Sequence, residues 1–99
     1  MAENFEYNVL NQPNIYNVTM TNADTEYLQS LPAGTKRFSI KCRGNYDMKL
    51  SFTQGESGTK YVTIPAGFEY NEQNLRLLNI TLYFQCVAAG QVAEIVAWT

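Results

Sequence analysis

A chain of 99 residues is one domain by length, with 45% hydrophobic, 13% aromatic and only 16% charged residues, below the roughly 25% charge usual in globular domains. The net charge of −2 gives none of the basic excess of a nucleic-acid binder, and the absence of histidine excludes His-activated nucleophiles and His-ligated metals. So few charges on a foldable chain imply that part of its surface meets a partner.

The first fourteen residues, "MAENFEYNVLNQPN", hold four asparagines and end beside Pro13. They read as an extended amino-terminal arm over 1–14, preceding a single β-sandwich domain over 15–99. With Phe5, Tyr7, Val9 and Leu10 on it, the arm is expected to lie on a surface of this chain or of another subunit. No basic-then-apolar signal segment opens the chain and no apolar run approaches the length of a membrane helix, so a soluble protein without membrane contact is expected.

Beyond the arm, strict alternation dominates. Tyr16, Val18 and Met20 alternate with Asn17, Thr19 and Thr21; Phe38, Ile40 and Cys42 with Arg37, Ser39, Lys41 and Arg43; Met48, Leu50 and Phe52 with Lys49, Ser51 and Thr53. Such a period of two is the mark of a half-buried strand. "NITLYFQC" repeats it, Tyr61–Ile64 and Ala93–Trp98 add apolar runs, and Glu26–Leu31 and Gly67–Tyr70 are weaker candidates. About eight short strands result, all β, with every glycine between them and at most a turn or two of helix in "NEQNLRLL". This predicts an antiparallel β-sandwich of jelly-roll or other Greek-key type. "RFSIKCRGNYDMKLSF" reads as a hairpin through Gly44-Asn45, and "GESGTK" as a hairpin turn without the spacing of a phosphate loop.

"LPAGT" at 31–35 and "IPAGF" at 64–68 echo one another. The segments after them differ, since "TKRFSIKCR" alternates and "FEYNEQNLRL" does not, so they read as two separate strand stops with proline at the second turn position. Cys42 and Cys86 lie at apolar positions of strands and read as buried small hydrophobes, with a Cys42–Cys86 cross-link as the alternative. Two sequons, Asn17-Val18-Thr19 and Asn79-Ile80-Thr81, read as chance matches without a signal peptide.

Catalysis would rest on loop carboxylates alone, so no catalytic, metal or cofactor site is assigned. Two surfaces stand out. Five of the seven cations fall between Lys36 and Lys49, and Arg37, Lys41 and Arg43 share one strand face: a solvated face, or contact with an acidic protein surface. The last strand, "VAEIVAWT", is apolar on both faces apart from Glu94. Its Val92, Val96 and Trp98 side needs a cover, from the arm or from another subunit. Phe5, Tyr7, Arg37, Lys41, Arg43, Tyr83, Val92, Val96 and Trp98 are therefore the candidate interface residues.

From about Ala23 onward, "ADTEYLQSLPAGTKRFSIKCR", "GTKYVTIPAGFEYNE" and "ITLYFQCVAAGQVAEIVAWT" together resemble small all-β virion structural proteins of tailed bacteriophages. The likeness covers about three quarters of the chain and is one of turns and strands. It implies a non-enzymatic capsid decoration or cement protein, made in the host cytoplasm and carried on the virion. Its partners would be the major capsid protein or other virion proteins, and it would form a homo-oligomer such as a trimer. The alternative from another class is a carbohydrate- or receptor-binding sandwich of a phage tail or head fibre, using outward tyrosines such as Tyr46, Tyr61 and Tyr83.

Overall fold

A computed structural model describes residues 12–76 and 79–99. Most of the arm, including Phe5 and Tyr7, lies outside the described residues. Eight strands follow: β1 (Asn14–Met20), β2 (Tyr27–Ser30), β3 (Arg37–Cys42), β4 (Met48–Ser51), β5 (Val62–Ile64), β6 (Glu69–Glu72), β7 (Thr81–Cys86) and β8 (Gln91–Trp98). No helix occurs among the described residues, so "NEQNLR" is strand end and loop.

The strands form two four-stranded sheets, ordered β1-β8-β3-β6 and β2-β7-β4-β5, with every neighbour antiparallel. Apart from the step from β4 to β5, each strand passes to the opposite sheet from the one before it. That is the jelly-roll, or double-stranded β-helix, order. We call the first sheet A and the second sheet B.

Alternation selects the buried face. Phe38 and Ile40 of β3 with Ala93, Ile95 and Ala97 of β8 point inward from sheet A; Met48, Leu50, Leu82, Phe84 and Cys86 point inward from sheet B. Each large side chain buried in this way contributes about 1.5–3 kcal/mol of transfer free energy. Small Ala97 stands directly opposite Phe38 in the register, leaving room for the ring between the sheets. Phe38 also meets Phe52 edge-on and Tyr70 in tilted packing, with ring centroids 6.2 and 6.1 Å away. This trio closes the sandwich on the β6 side. Cys42 and Cys86 are buried free thiols on opposite sheets. Burial pushes the Cys42 thiol up, and the neighbouring Cys86 adds to the effect.

Two expectations are corrected. β3 and β4 do not form a hairpin, because β3 pairs with β6 and β8 in sheet A while β4 pairs with β5 and β7 in sheet B. Residues 43–47 are a corner between sheets, and identical alternation on both sides of it hid that. The β4–β5 connection containing "GESGTK" does join two paired strands.

The PAG turns also differ from expectation in one detail. In both, proline is the first turn residue: its carbonyl accepts from the Thr35 amide at 3.2 Å and from the Phe68 amide at 3.0 Å. Gly34 and Gly67 follow in the left-handed region at φ 79° and 85°. A third position with positive φ is the type II requirement, cheap only for glycine. Both turns carry the chain from sheet B to sheet A, which is the shared geometric problem behind the echo.

Candidate interaction surface

The outward side chains of sheet A fall into cross-strand rows set by register. Trp98 faces Arg37; Ile15, Val96, Ser39 and Asn71 make a second row; Asn17, Glu94, Lys41 and Glu69 a third. Thr19 and Val92 begin a fourth row, which Arg43 completes just beyond β3. Apolar Val92 and Val96 are half-buried, because each is flanked by side chains of the adjoining strands. The outward face of β8, expected to be apolar apart from Glu94, thus shows Val92 and Val96 half-buried on either side of the polar Glu94 row.

Arg37 lies over the Trp98 ring with its guanidinium 4.0 Å from the centroid. Such stacking at an exposed site is worth about 0.5–1 kcal/mol. Beside them a shallow depression of about 500 Å³ is lined by Lys36, Arg37, Arg76, Leu75 and Trp98. Two backbone bonds shape it: the Lys36 amide donates to the Trp98 carbonyl at 2.7 Å, and the Leu75 amide donates to the Lys36 carbonyl at 2.9 Å. They tie the β6–β7 connection to the end of sheet A and bring Arg76 alongside Arg37. Among the described residues no carboxylate pairs with Lys36, Arg37 or Arg76.

Lys41 and Arg43 behave differently. Both turn to Glu94, at 3.7 and 2.7 Å. The Arg43 hydrogen bond, helped by the charges of Arg43 and Lys41, holds the Glu94 carboxyl below the usual carboxylate range. The basic stripe therefore divides into a half paired with Glu94 and a half next to Trp98 that has no carboxylate partner among the described residues. Lys49 is on the other sheet altogether, with its ammonium 4.8 Å from the Tyr61 ring centroid. Tyr83 is also there, half-buried on β7 between Leu28 and Ser51. Of the candidate residues, Arg37, Lys41, Arg43, Val92, Val96 and Trp98 share sheet A, and Tyr83 stands apart. Phe5 and Tyr7 lie outside the described residues.

Sheet B covers part of its own outer surface, around Gln85 and Ser51. The β4–β5 loop folds back across it, and the Ser57 hydroxyl donates to the side-chain amide oxygen Oε1 of Gln85 at 2.9 Å, with both residues buried. The Gly55 and Ser57 amides donate to the Glu26 carboxylate at 2.8 and 3.0 Å. Hydrogen bonding from Ser57, then from Gly55, keeps the Glu26 carboxyl below its ordinary range. Gly58 runs so close to Gln85 that an added Cβ would sit 3.3 Å from its oxygen.

Lys36, Arg76 and Ile15 were missing from the sequence-level candidates. Ile15 is 66% exposed. Its signal was present: it is the apolar residue on the polar parity of β1. Arg76 carried none, because only the β6–β7 fold-back brings it to Arg37.

No protein-family model matches the chain, and no curated protein matches it. Among solved structures, the chain is similar to a de novo designed double-stranded β-helix determined by solution NMR, at 16% identity and a TM-score of 0.55. The likeness covers 89% of this chain and 99% of the design. At that identity it shows the fold alone, and the function has to be argued from surfaces.

Proposed function

We propose that the chain is a non-enzymatic structural protein of a tailed-phage virion, a decoration or cement protein that docks on acidic coat surfaces through the Arg37/Trp98 end of sheet A. The supporting observation is the concentration there of Lys36, Arg37 and Arg76 around a half-buried indole, without a carboxylate partner among the described residues. Indole and guanidinium groups are the side chains that most often dominate binding energy at interfaces. A protein of this kind binds the assembled shell and not its free subunits, so it stabilises the assembly by mass action. Copies on neighbouring subunits add avidity without individually tight contacts.

Mass spectrometry of purified particles tests the reading, with the chain expected in many copies; its absence from virions would end it. Particles stripped of the chain should be re-bound by the purified protein, and Trp98→Ala should weaken re-binding tenfold or more while the domain remains folded. A sugar-binding face finds less support, because Lys49 lies over the Tyr61 ring that a saccharide would stack on.

A further inference from the structure

Both sheets end in edge strands, and three of the four edges carry the protections that keep edges from pairing with other chains. β6 is only four residues long and carries two charges, Glu69 and Glu72. β5 is three residues long and stops at Pro65, and β2 is four residues long and is followed closely by Pro32. β1 is the least protected: Pro13 adjoins its start, but it is the longest of the four edges. It runs seven residues, "NIYNVTM", without a charge or a proline.

The direction of its free backbone groups follows from one bond. The Arg43 amide donates to the Val92 carbonyl at 2.8 Å, so these two residues form a hydrogen-bonded pair. Antiparallel alternation then turns the amides and carbonyls of Glu94, Val96 and Trp98 toward β3, and those of Ala93, Ile95 and Ala97 toward β1. The β1 partners Val18, Tyr16 and Asn14 are thereby engaged with β8. The Met20 carbonyl, which accepts from the Gly90 amide at 2.8 Å, obeys the same parity. The amide and carbonyl groups of Ile15, Asn17 and Thr19 are left pointing away from the sheet, and no strand among those described lies beyond them.

That set is self-complementary. An antiparallel copy of β1 centred on Asn17 brings Ile15 opposite Thr19 and Tyr16 opposite Val18, with six backbone hydrogen bonds across a two-fold axis. An aromatic residue opposite a β-branched one, as Tyr16 with Val18, is among the favourable cross-strand pairs, Ile15 and Thr19 are both strand-favouring residues, and no like charges meet. The most exposed aliphatic strand residues, Ile15 at 66% and Leu28 at 53%, stand on β1 and β2, which flank this side of the sandwich.

We infer that a second copy of this chain pairs with the β1 edge, joining two A sheets into one eight-stranded sheet across a two-fold axis. The contact does not depend on the virion reading. An edge this short buries less than the roughly 1,000 Å² of a stable interface, so a dissociation constant of about 10–500 μM is expected.

Sedimentation of the full chain from about 10 μM to about 1 mM spans that expected range. It should show a rise from 11.2 kDa to twice that mass. Amide exchange at Ile15, Asn17 and Thr19 should slow over the same concentrations. The variant Ile15→Lys/Thr19→Lys sets lysines opposite one another and should dimerise at least tenfold more weakly. Mixing it with Ile15→Glu/Thr19→Glu should restore a dimer. A monomer throughout, a trimer, protection of the three amides that does not vary with concentration, or a lysine variant that dimerises normally would each overturn the inference. Failure of the mixed-charge pair to associate would overturn it as well.

Discussion

The outer faces of the two sheets answer the same problem in opposite ways. On sheet B the chain covers itself: the β4–β5 loop is latched by Glu26 and by the Ser57–Gln85 bond, and polar groups that would otherwise face water become buried and paired. On sheet A nothing from the described chain lies over the strands. Polar rows, one internal ion-pair cluster at Glu94 and the Arg37/Trp98 stack meet solvent directly. A face that satisfies itself is poorly suited to exchange partners, so interaction is sought on the open one.

The contrast can be broken in graded steps. The largest effect belongs to what the sheets share: Phe38→Ala from sheet A and Phe84→Ala from sheet B should each cost about 3–5 kcal/mol in urea unfolding, since both rings are fully buried in one core. Next comes the latch. Glu26→Ala removes the acceptor of two loop amides and should cost about 1 kcal/mol, the usual value for a charged hydrogen bond discounted for exposure. Limited proteolysis should then cut within 52–60 faster while sheet A is unchanged. The matching change on sheet A, Glu94→Gln, releases only a surface pair and should cost roughly 0.2–1 kcal/mol.

The two paired carboxylates, Glu26 and Glu94, also make stability depend on pH. Glu26 and Glu94 have depressed folded-state pKa values, so their contribution is present above the unfolded carboxylate value near 4.5 and is lost as pH falls below it. Thermal midpoints from pH 6 to pH 3 should therefore decline, and more shallowly in a Glu26→Gln/Glu94→Gln variant. At the alkaline end Tyr70 is pushed from 10 to about 12 by burial and by its hydrogen bond to Glu72. A raised value means stability that is complete below about pH 10 and lost as pH rises toward 12, and Tyr70→Phe should remove that dependence.

Strands were legible wherever alternation was strict. β3, β4 and β7 were apparent because Phe38/Ile40/Cys42, Met48/Leu50 and Leu82/Phe84/Cys86 each keep one parity. The candidate surface was half legible. Arg37 and Trp98 stood out by residue type, but their stacking depends on a register between strands 61 positions apart. The pairing of Lys41 and Arg43 with Glu94 was hidden for the same reason. Arg76 was invisible, since a loop cation has no periodic signal.

By itself the sequence determined where most strands lie, which face of β1, β3, β4 and β7 is buried, and where the chain must turn. Those properties follow from a side-chain period of two and from the torsions of glycine and proline, whatever a strand's neighbours are. Only the tertiary structure decided that the turn at 43–47 changes sheets, that two cations share Glu94 while Arg37 covers an indole, and that β1 is an edge. Alternation is the same in a hairpin and in a crossover, and partners distant in the chain are chosen by how the whole core packs.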